Sequence, residues 1–501
     1  MELATSEVLV SAVIILILIW YRRMSTNFEF WKKRNVAGPQ PEFCFGNFKE
    51  VIMGRLHPGQ LLKVFYDEFD REPVIGVYSL TGCPLLIVRD PDLIEDVLIK
   101  DFHVFRNRGF YCNARVDPLN QNLLNLEYEK WRPLRKRLSP VFTSGKLKEM
   151  FYLISDCASN LEKYTDKLID KNEPIEFREL CAKFTTQVIG ACAFGFDLEA
   201  ICDDDSDFRK LGRVVFDAGF LSTCRRLLQD SFPRIYSLVR PLPYHKAYRF
   251  FIKSMKKTVQ DRRKSDMRRN DFVDLMIDLQ DQPDKLDNID FNDMFLAGQA
   301  IAFFGAGFET SATTMSHALY ELALNQNIQD KLREEVRKGL GDSENGLSYD
   351  CIKQIEYLNQ VMKETLRKYP PGVILQRKVS EPYTFNGTKI RVPEGMKVLI
   401  PVWAIHHDPE IYPDPKKFDP ERFDPKNLSA RHPMSFLPYG GGPHICVGAR
   451  FANYQTKVGI ATIISKFKLE ICDKTFKEYE LNPRSLLLAP KEGIYLRVSR
   501  I

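Results

Sequence analysis

Phe436-Leu437-Pro438-Tyr439-Gly440-Gly441-Gly442-Pro443-His444-Ile445-Cys446-Val447-Gly448 sets one cysteine behind three consecutive glycines and ahead of a helix-like pattern, Ala449 to Phe467. Glycines carry no side chain, so something bulky can approach this backbone closely. Cys446 stands at or just before the helix N-terminus, where free N–H groups and the helix dipole favour a thiolate over a thiol. A thiolate beside a bare, flat loop suits a large planar metal cofactor better than a small substrate. The plain alternative is a structural cysteine after a turn. The pattern Tyr439-x-x-Gly442-x-x-x-Cys446-x-Gly448 is longer than such a turn needs, and the rest of the chain supplies companions to it.

The chain has 501 residues, 44% hydrophobic and 28% charged, the balance of a globular protein with a full core. A net charge of +6 fits an acidic partner or an anionic membrane and is too small to argue for nucleic acid. The 11 cysteines are scattered, odd in number and without a CxxC pair, so neither a zinc site nor a disulfide framework is expected.

In chain order, Val8 to Tyr21 is an apolar run followed by Arg22 and Arg23, with Lys32, Lys33 and Arg34 beyond. No small-residue cleavage site follows, which argues against a removed signal peptide. The basic residues on the C-terminal side put the body of the protein in the cytosol. The expected organisation is a transmembrane anchor helix over 1–24, a basic, Pro/Gly-rich linker over 25–47 and a catalytic domain over 48–501. Val74 to Leu80 and Leu85 to Val88 read as a hairpin, and Asp90 with Pro91 opens a short helix. Phe102 to Leu126 is irregular and aromatic. Trp131 and Arg135 are four apart and share one helix side. Phe151 to Leu279 is mostly helical, broken at Phe232-Pro233 and Pro241-Leu242-Pro243.

Phe291 to Leu324 is one long helical pattern with Asp290 as its expected N-cap. Gly305 and Gly307 in its middle each cost about 1 kcal/mol relative to alanine. They imply a close approach to the backbone or a kink, or else tight helix packing. Glu309 and Thr310 follow, an acid and a hydroxyl able to hold water and relay protons. Leu358 to Tyr369 has helical spacing ended by Pro370-Pro371, with Glu364 and Arg367 three apart. The fold class read from all this is mainly α with a smaller β region.

Taken together, these stretches resemble the cytochrome P450 superfamily, whose haem iron is held by a cysteine thiolate. The resemblance implies the fold of that family and haem b on Cys446. It implies haem propionates held by Trp131, Arg135, Arg377 and His444, and protons delivered by Glu309 and Thr310. It joins Glu364, Arg367 and Arg422 of Pro420-Glu421-Arg422-Phe423 in a buried triad. It makes Phe105, Phe110, Phe303, Phe304, Ala306, Val373, Ile374 and Leu487 candidate substrate contacts. Two positions depart from the family pattern: Tyr439 stands where Phe is usual, and His444 stands where Arg is usual.

The implied activity is insertion of one oxygen atom from dioxygen into a lipophilic substrate. Electrons come from NADPH through NADPH-cytochrome P450 reductase, with cytochrome b5 as an additional donor. Lys130, Arg132, Lys136 and Arg137 offer a basic docking face for such a donor. The implied location is the endoplasmic reticulum membrane, facing the cytosol. The segments Arg269-Asn270-Asp271-Phe272-Val273-Asp274-Leu275, Ala306 to Ala323 and Asp419 to Phe423 look most like insect microsomal enzymes that oxidise plant toxins and insecticides. Two other functions are weighed against this one. A haem-thiolate isomerase or dehydratase needs no NADPH and no acid–hydroxyl pair. A non-catalytic haem-binding paralogue is suggested only by His444.

Overall fold

The computed structural model describes residues 2–196, 219–238, 246–265, 271–282, 289–341, 347–428, 431–476 and 478–501, together with 210, 212, 216, 268 and 269. Side chains at 2–10, 12, 13, 16, 17, 220, 221, 246 and 247 lie outside the description. So does the expected break at Pro241-Leu242-Pro243.

Helices dominate, and three of them build the centre. The long helix Asp293–Leu324 packs against both Phe177–Ile189 and Ala449–Lys466. Small residues make these contacts tight. A Cβ on Gly307 would stand 2.6 Å from Cδ1 of Ile189, and one on Gly459 would stand 2.6 Å from Met315. The packing alternative for the mid-helix glycines therefore holds at Gly307, and the helix runs through it without interruption. The expected N-cap is corrected: Asn292, not Asp290, accepts the N–H of Phe295 at 2.9 Å.

The strands are β1 Val74–Tyr78, β2 Pro84–Val88, β3 Ile175–Glu176, β4 Leu375–Lys378, β5 Tyr383–Thr384, β6 Arg391–Val392, β7 Lys397–Ile400, β8 Phe467–Glu470 and β9 Tyr495–Arg500. They form sheets of order β1-β2-β7-β4, β3-β9-β8 and β5-β6. The β1–β2 hairpin is the expected one, and β2 pairs in parallel with β7, Leu86 opposite Val398. One apolar core surrounds the long helix, and a second lies on the side of the four-stranded sheet. Family-like mixed architecture, mainly α with a smaller β region, is what the chain adopts.

Glu2–Asn27 is helical, with Ile14, Ile15, Leu18 and Ile19 exposed. Among the described residues no helix is long and apolar enough to cross a membrane. The stretch 25–47, expected as a linker, is packed rather than free. Met24 and Trp31 are buried. The Trp31 indole donates to the Val77 carbonyl at 3.1 Å, and the Gly76 N–H donates to the Ala37 carbonyl at 2.8 Å. Apolar and hydrogen-bonding groups spaced through this stretch give it a strand edge to pair with, which its Pro and Gly content conceals.

Candidate functional site

Cys446 lies between the glycine loop and the helix Ala449–Lys466. Its N–H donates to the Tyr439 carbonyl at 2.9 Å, closing the loop on itself. Gly440 and Gly442 have φ of +75° and +66°, which only glycine adopts freely. They differ in what they face. A Cβ on Gly442 would strike the Leu98 carbonyl at 1.9 Å, whereas one on Gly440 would meet nothing nearer than Leu375 at 3.6 Å and one on Gly448 nothing nearer than Phe142 at 4.0 Å. Gly442 thus serves packing, whereas Gly440 and Gly448 have room for a side chain at van der Waals distance from their neighbours. Cys446 is accessible to solvent, yet protein crowds it enough that burial is the first cause raising its thiol. Both facts suit a residue on the wall of an internal recess. The N–H of Gly448, then Arg135 and Arg108, pull the thiol the other way.

Donors converge beside that wall. The helix Tyr128–Leu138 carries Trp131, which is buried, and Arg135, whose Nη2 reaches the Ile445 carbonyl at 2.8 Å. Arg377 comes from β4 and donates to the Gln376 carbonyl. Arg108 comes from the irregular segment and donates to the carbonyls of Leu123, Leu124 and His444. Burial, with Arg377 and Arg135 nearby, pushes Arg108 down to about 9; burial pushes Arg377 down to about 10. Among the described residues, Trp131 Nε1, Arg377 Nε and His444 Nδ1 are buried polar atoms without a partner. Buried cations and unpaired N–H groups on one wall call for an anion. The two propionates of a haem have that charge, and Cys446 is the donor type that haem iron accepts, so the residues present fit haem.

His444 requires a correction. Its Nε2–H donates to the Arg106 carbonyl at 2.8 Å, and its ring packs edge-on against Trp131 at 4.0 Å. Burial, then Arg108 and Arg377, push the imidazole down to about 2, so the ring is neutral and its Nδ1 carries a lone pair. A neutral ring with its only N–H spent cannot donate to an anion. The position next to it is taken by Arg108, which sequence reading missed. That arginine lies in a stretch with no periodicity, and only its charge among aromatic residues marked it.

The acid and the hydroxyl on the long helix look to different partners. Glu309 Oε1 accepts from Arg178 Nη2 at 2.9 Å, and the Thr310 hydroxyl donates to the Ala306 carbonyl at 2.7 Å. Ala306 is exposed although its helix is largely buried. Of the candidate substrate contacts, Phe105 and Phe304 are corrected. Phe105 is fully buried against Tyr383 and Phe385 in the sheet-side core, and Phe304 is fully buried against Phe194, Phe251 and Phe308. Phe303 stacks on Phe142 at 5.5 Å, and Phe110 is exposed. Val373, Ile374 and the turn holding the half-buried Leu487 come together, because the Leu488 N–H donates to the Pro371 carbonyl.

The triad residues meet. Arg367 grips Glu364 at 2.8 and 2.9 Å with both side chains inaccessible, and Arg422 Nε lies 3.5 Å from Glu364 Oε1. The helix Phe220–Ser231 meets the irregular segment through Arg225, which donates to Asp117 at 3.1 Å and to the Tyr236 hydroxyl at 3.0 Å, and Tyr236 packs edge-on against Tyr111.

The family model described as "Cytochrome P450" matches residues 36–497. Among known proteins, the chain is similar to Cytochrome P450 6A1 of Musca domestica, 39% identical over 95% of this chain and 94% of the relative. It is similar to Cytochrome P450 6a2 of Drosophila melanogaster, 38% identical over 95% and 96%. It is also similar to Cytochrome P450 6B7 of Helicoverpa armigera, 35% identical over 97% and 96%.

Proposed function

The chain belongs to the cytochrome P450 family, a haem-binding monooxygenase supplied with electrons indirectly through a reductase, and on that premise we propose that Cys446 is its iron ligand and that its substrates are lipophilic. Dioxygen activation and transfer of one oxygen atom to substrate is the chemistry that haem supplies when bound. The chain's own residues do the rest. Cys446 supplies the thiolate. Trp131, Arg108, Arg135 and Arg377 hold the propionates. Ala306 leaves room above the site. Thr310 holds a proton at its hydroxyl, and Glu309, tethered to Arg178, holds a charge near it.

The observation that carries this reading is the convergence of unpaired buried donors on the recess walled by Cys446. The substrate class is a xenobiotic, plant toxin, insecticide or endogenous lipid or hormone. The electron donor is NADPH-cytochrome P450 reductase, with cytochrome b5 in support. It docks on the helix Tyr128–Leu138, where Lys130, Arg132 and Lys136 are exposed. The helix Glu2–Asn27, with its exposed isoleucines and leucine, anchors the protein in the endoplasmic reticulum membrane. The test is the carbon monoxide difference spectrum of the reduced protein, followed by product formation with and without NADPH and reductase. A strongly red-shifted Soret band and strict NADPH dependence are expected. A band at the imidazole or thiol position overturns the Cys446 assignment, and turnover without NADPH favours an isomerase or dehydratase.

A further inference from the structure

His406 has no part in the chemistry above, yet it joins the two parts of the chain that the chemistry depends on. It ends the short helical turn Val402–His406 that follows β7, and it is inaccessible to solvent. Its Nδ1 lies 3.2 Å from the carbonyl oxygen of Arg367, and its Nε2 accepts the backbone N–H of Leu437 at 2.9 Å. An N–H aimed at Nε2 leaves that atom its lone pair, so the ring proton sits on Nδ1 and is donated to Arg367. Arg367 answers with its own Nη1, which donates to the His406 carbonyl at 2.9 Å. Burial, then Arg367, push the imidazole down to about 3, so this tautomer persists at neutral pH.

From Leu437 the connection runs to the cysteine in two bonds. The Gly440 N–H donates to the Leu437 carbonyl at 3.1 Å, and the Cys446 N–H donates to the Tyr439 carbonyl at 2.9 Å. Phe436, the residue before Leu437, stacks on the His406 ring at 5.5 Å and packs tilted against Phe423 at 4.9 Å. A loop rich in glycine has little of its own to hold its register. Here an imidazole that is donor on one side and acceptor on the other ties it to the rigid Glu364–Arg367 pair.

We propose that His406 is a positioning residue for Cys446, setting the register of loop 436–446 against the Glu364–Arg367 pair so that the sulfur meets the iron. The inference rests on Cys446 being the ligand. Its test uses two isosteric variants of the full-length protein, with haem content and the reduced carbon monoxide spectrum read together. His406→Asn keeps a group at the Nδ1 position and loses the link to Leu437. His406→Gln keeps one at the Nε2 position and loses the side-chain bond to Arg367, while Arg367 Nη1 still holds the residue by its main-chain carbonyl. The expected result is loss of the thiolate-type band in loaded His406→Asn and its retention in His406→Gln. Both variants keeping the band, or both losing it alike, overturns the inference. Failure of the Asn variant or of both to fold also overturns it, because the histidine then supports the fold and not the ligand. A wild-type protein without the thiolate-type band refutes the Cys446 assignment instead, and the two failures are thereby distinguished.

Discussion

At the scale of single residues, the anion-facing part that the family resemblance gives to His444 fits Arg108 better. His444 spends its N–H on Arg106, and Arg108 stands buried beside Arg377 and Arg135, donating to carbonyls and lying over the Trp131 ring. Charge-assisted hydrogen bonds contribute about 1.5–3 kcal/mol each. Arg108→Ala is therefore expected to speed haem loss by about tenfold to a hundredfold, read as transfer to apomyoglobin. His444→Gln is expected to change that rate by less than about threefold, since it keeps a donor toward Arg106 and removes no charge. Cys446, Trp131 and Arg135 stood out in the sequence because the first follows a glycine run and the other two are four apart on one helix side, whereas Arg377 entered only through the family resemblance. Arg108 did not stand out, because the segment Phe102 to Leu126 has no period to read. Phe105 and Phe304 show the matching limit: an aromatic residue announces burial, and nothing in the chain says which of two cores it fills.

At the scale of elements, the long helix, the β1–β2 hairpin and the cysteine helix were legible, since each has a strong period and clear ends. The contact between the helix Phe220–Ser231 and the irregular segment was not, because it joins residues far apart in sequence. Arg225 and Asp117 make that contact, with the Asp117 side chain only 6% exposed. The Arg225 side chain is 39% exposed, so solvent screening holds the contribution of the pair to about 1 kcal/mol. Arg225→Ala is expected to raise both the entry and the release rate of a nitrogenous haem ligand by about fivefold, followed by stopped-flow absorbance. The double variant with Asp117→Asn is expected to fall between this and wild type. On the cysteine helix, Lys457 is buried, bonds to Asn359, and is pushed down to about 8 by burial first and Lys363 second. Its folded value lies below the ordinary 10.5, so the charged form destabilises the fold. Stability should rise as pH climbs from about 8 to about 10.5, by on the order of 3 kcal/mol. Lys457→Met should flatten that rise in urea titrations at several pH values.

At the scale of the whole molecule, the N-terminal region is continuous with the sheet. Trp31 fills the space over Gly76, where a Cβ would stand 2.4 Å from its ring. A chain beginning at residue 23 should fold with its haem, whereas one beginning at residue 36 should lose about 3–5 kcal/mol from the missing tryptophan alone, measured by thermal unfolding. The same sheet has a consequence for synthesis on the ribosome. Its second strand, Pro84–Val88, finds its parallel neighbour only in Lys397–Ile400. A hairpin that emerges early thus keeps one hydrogen-bonding edge open until nearly all of the chain has been made. Open edges pair with whatever is at hand. Translation speed and early chaperone cover over the first hundred residues should therefore govern how much of this protein reaches the folded state.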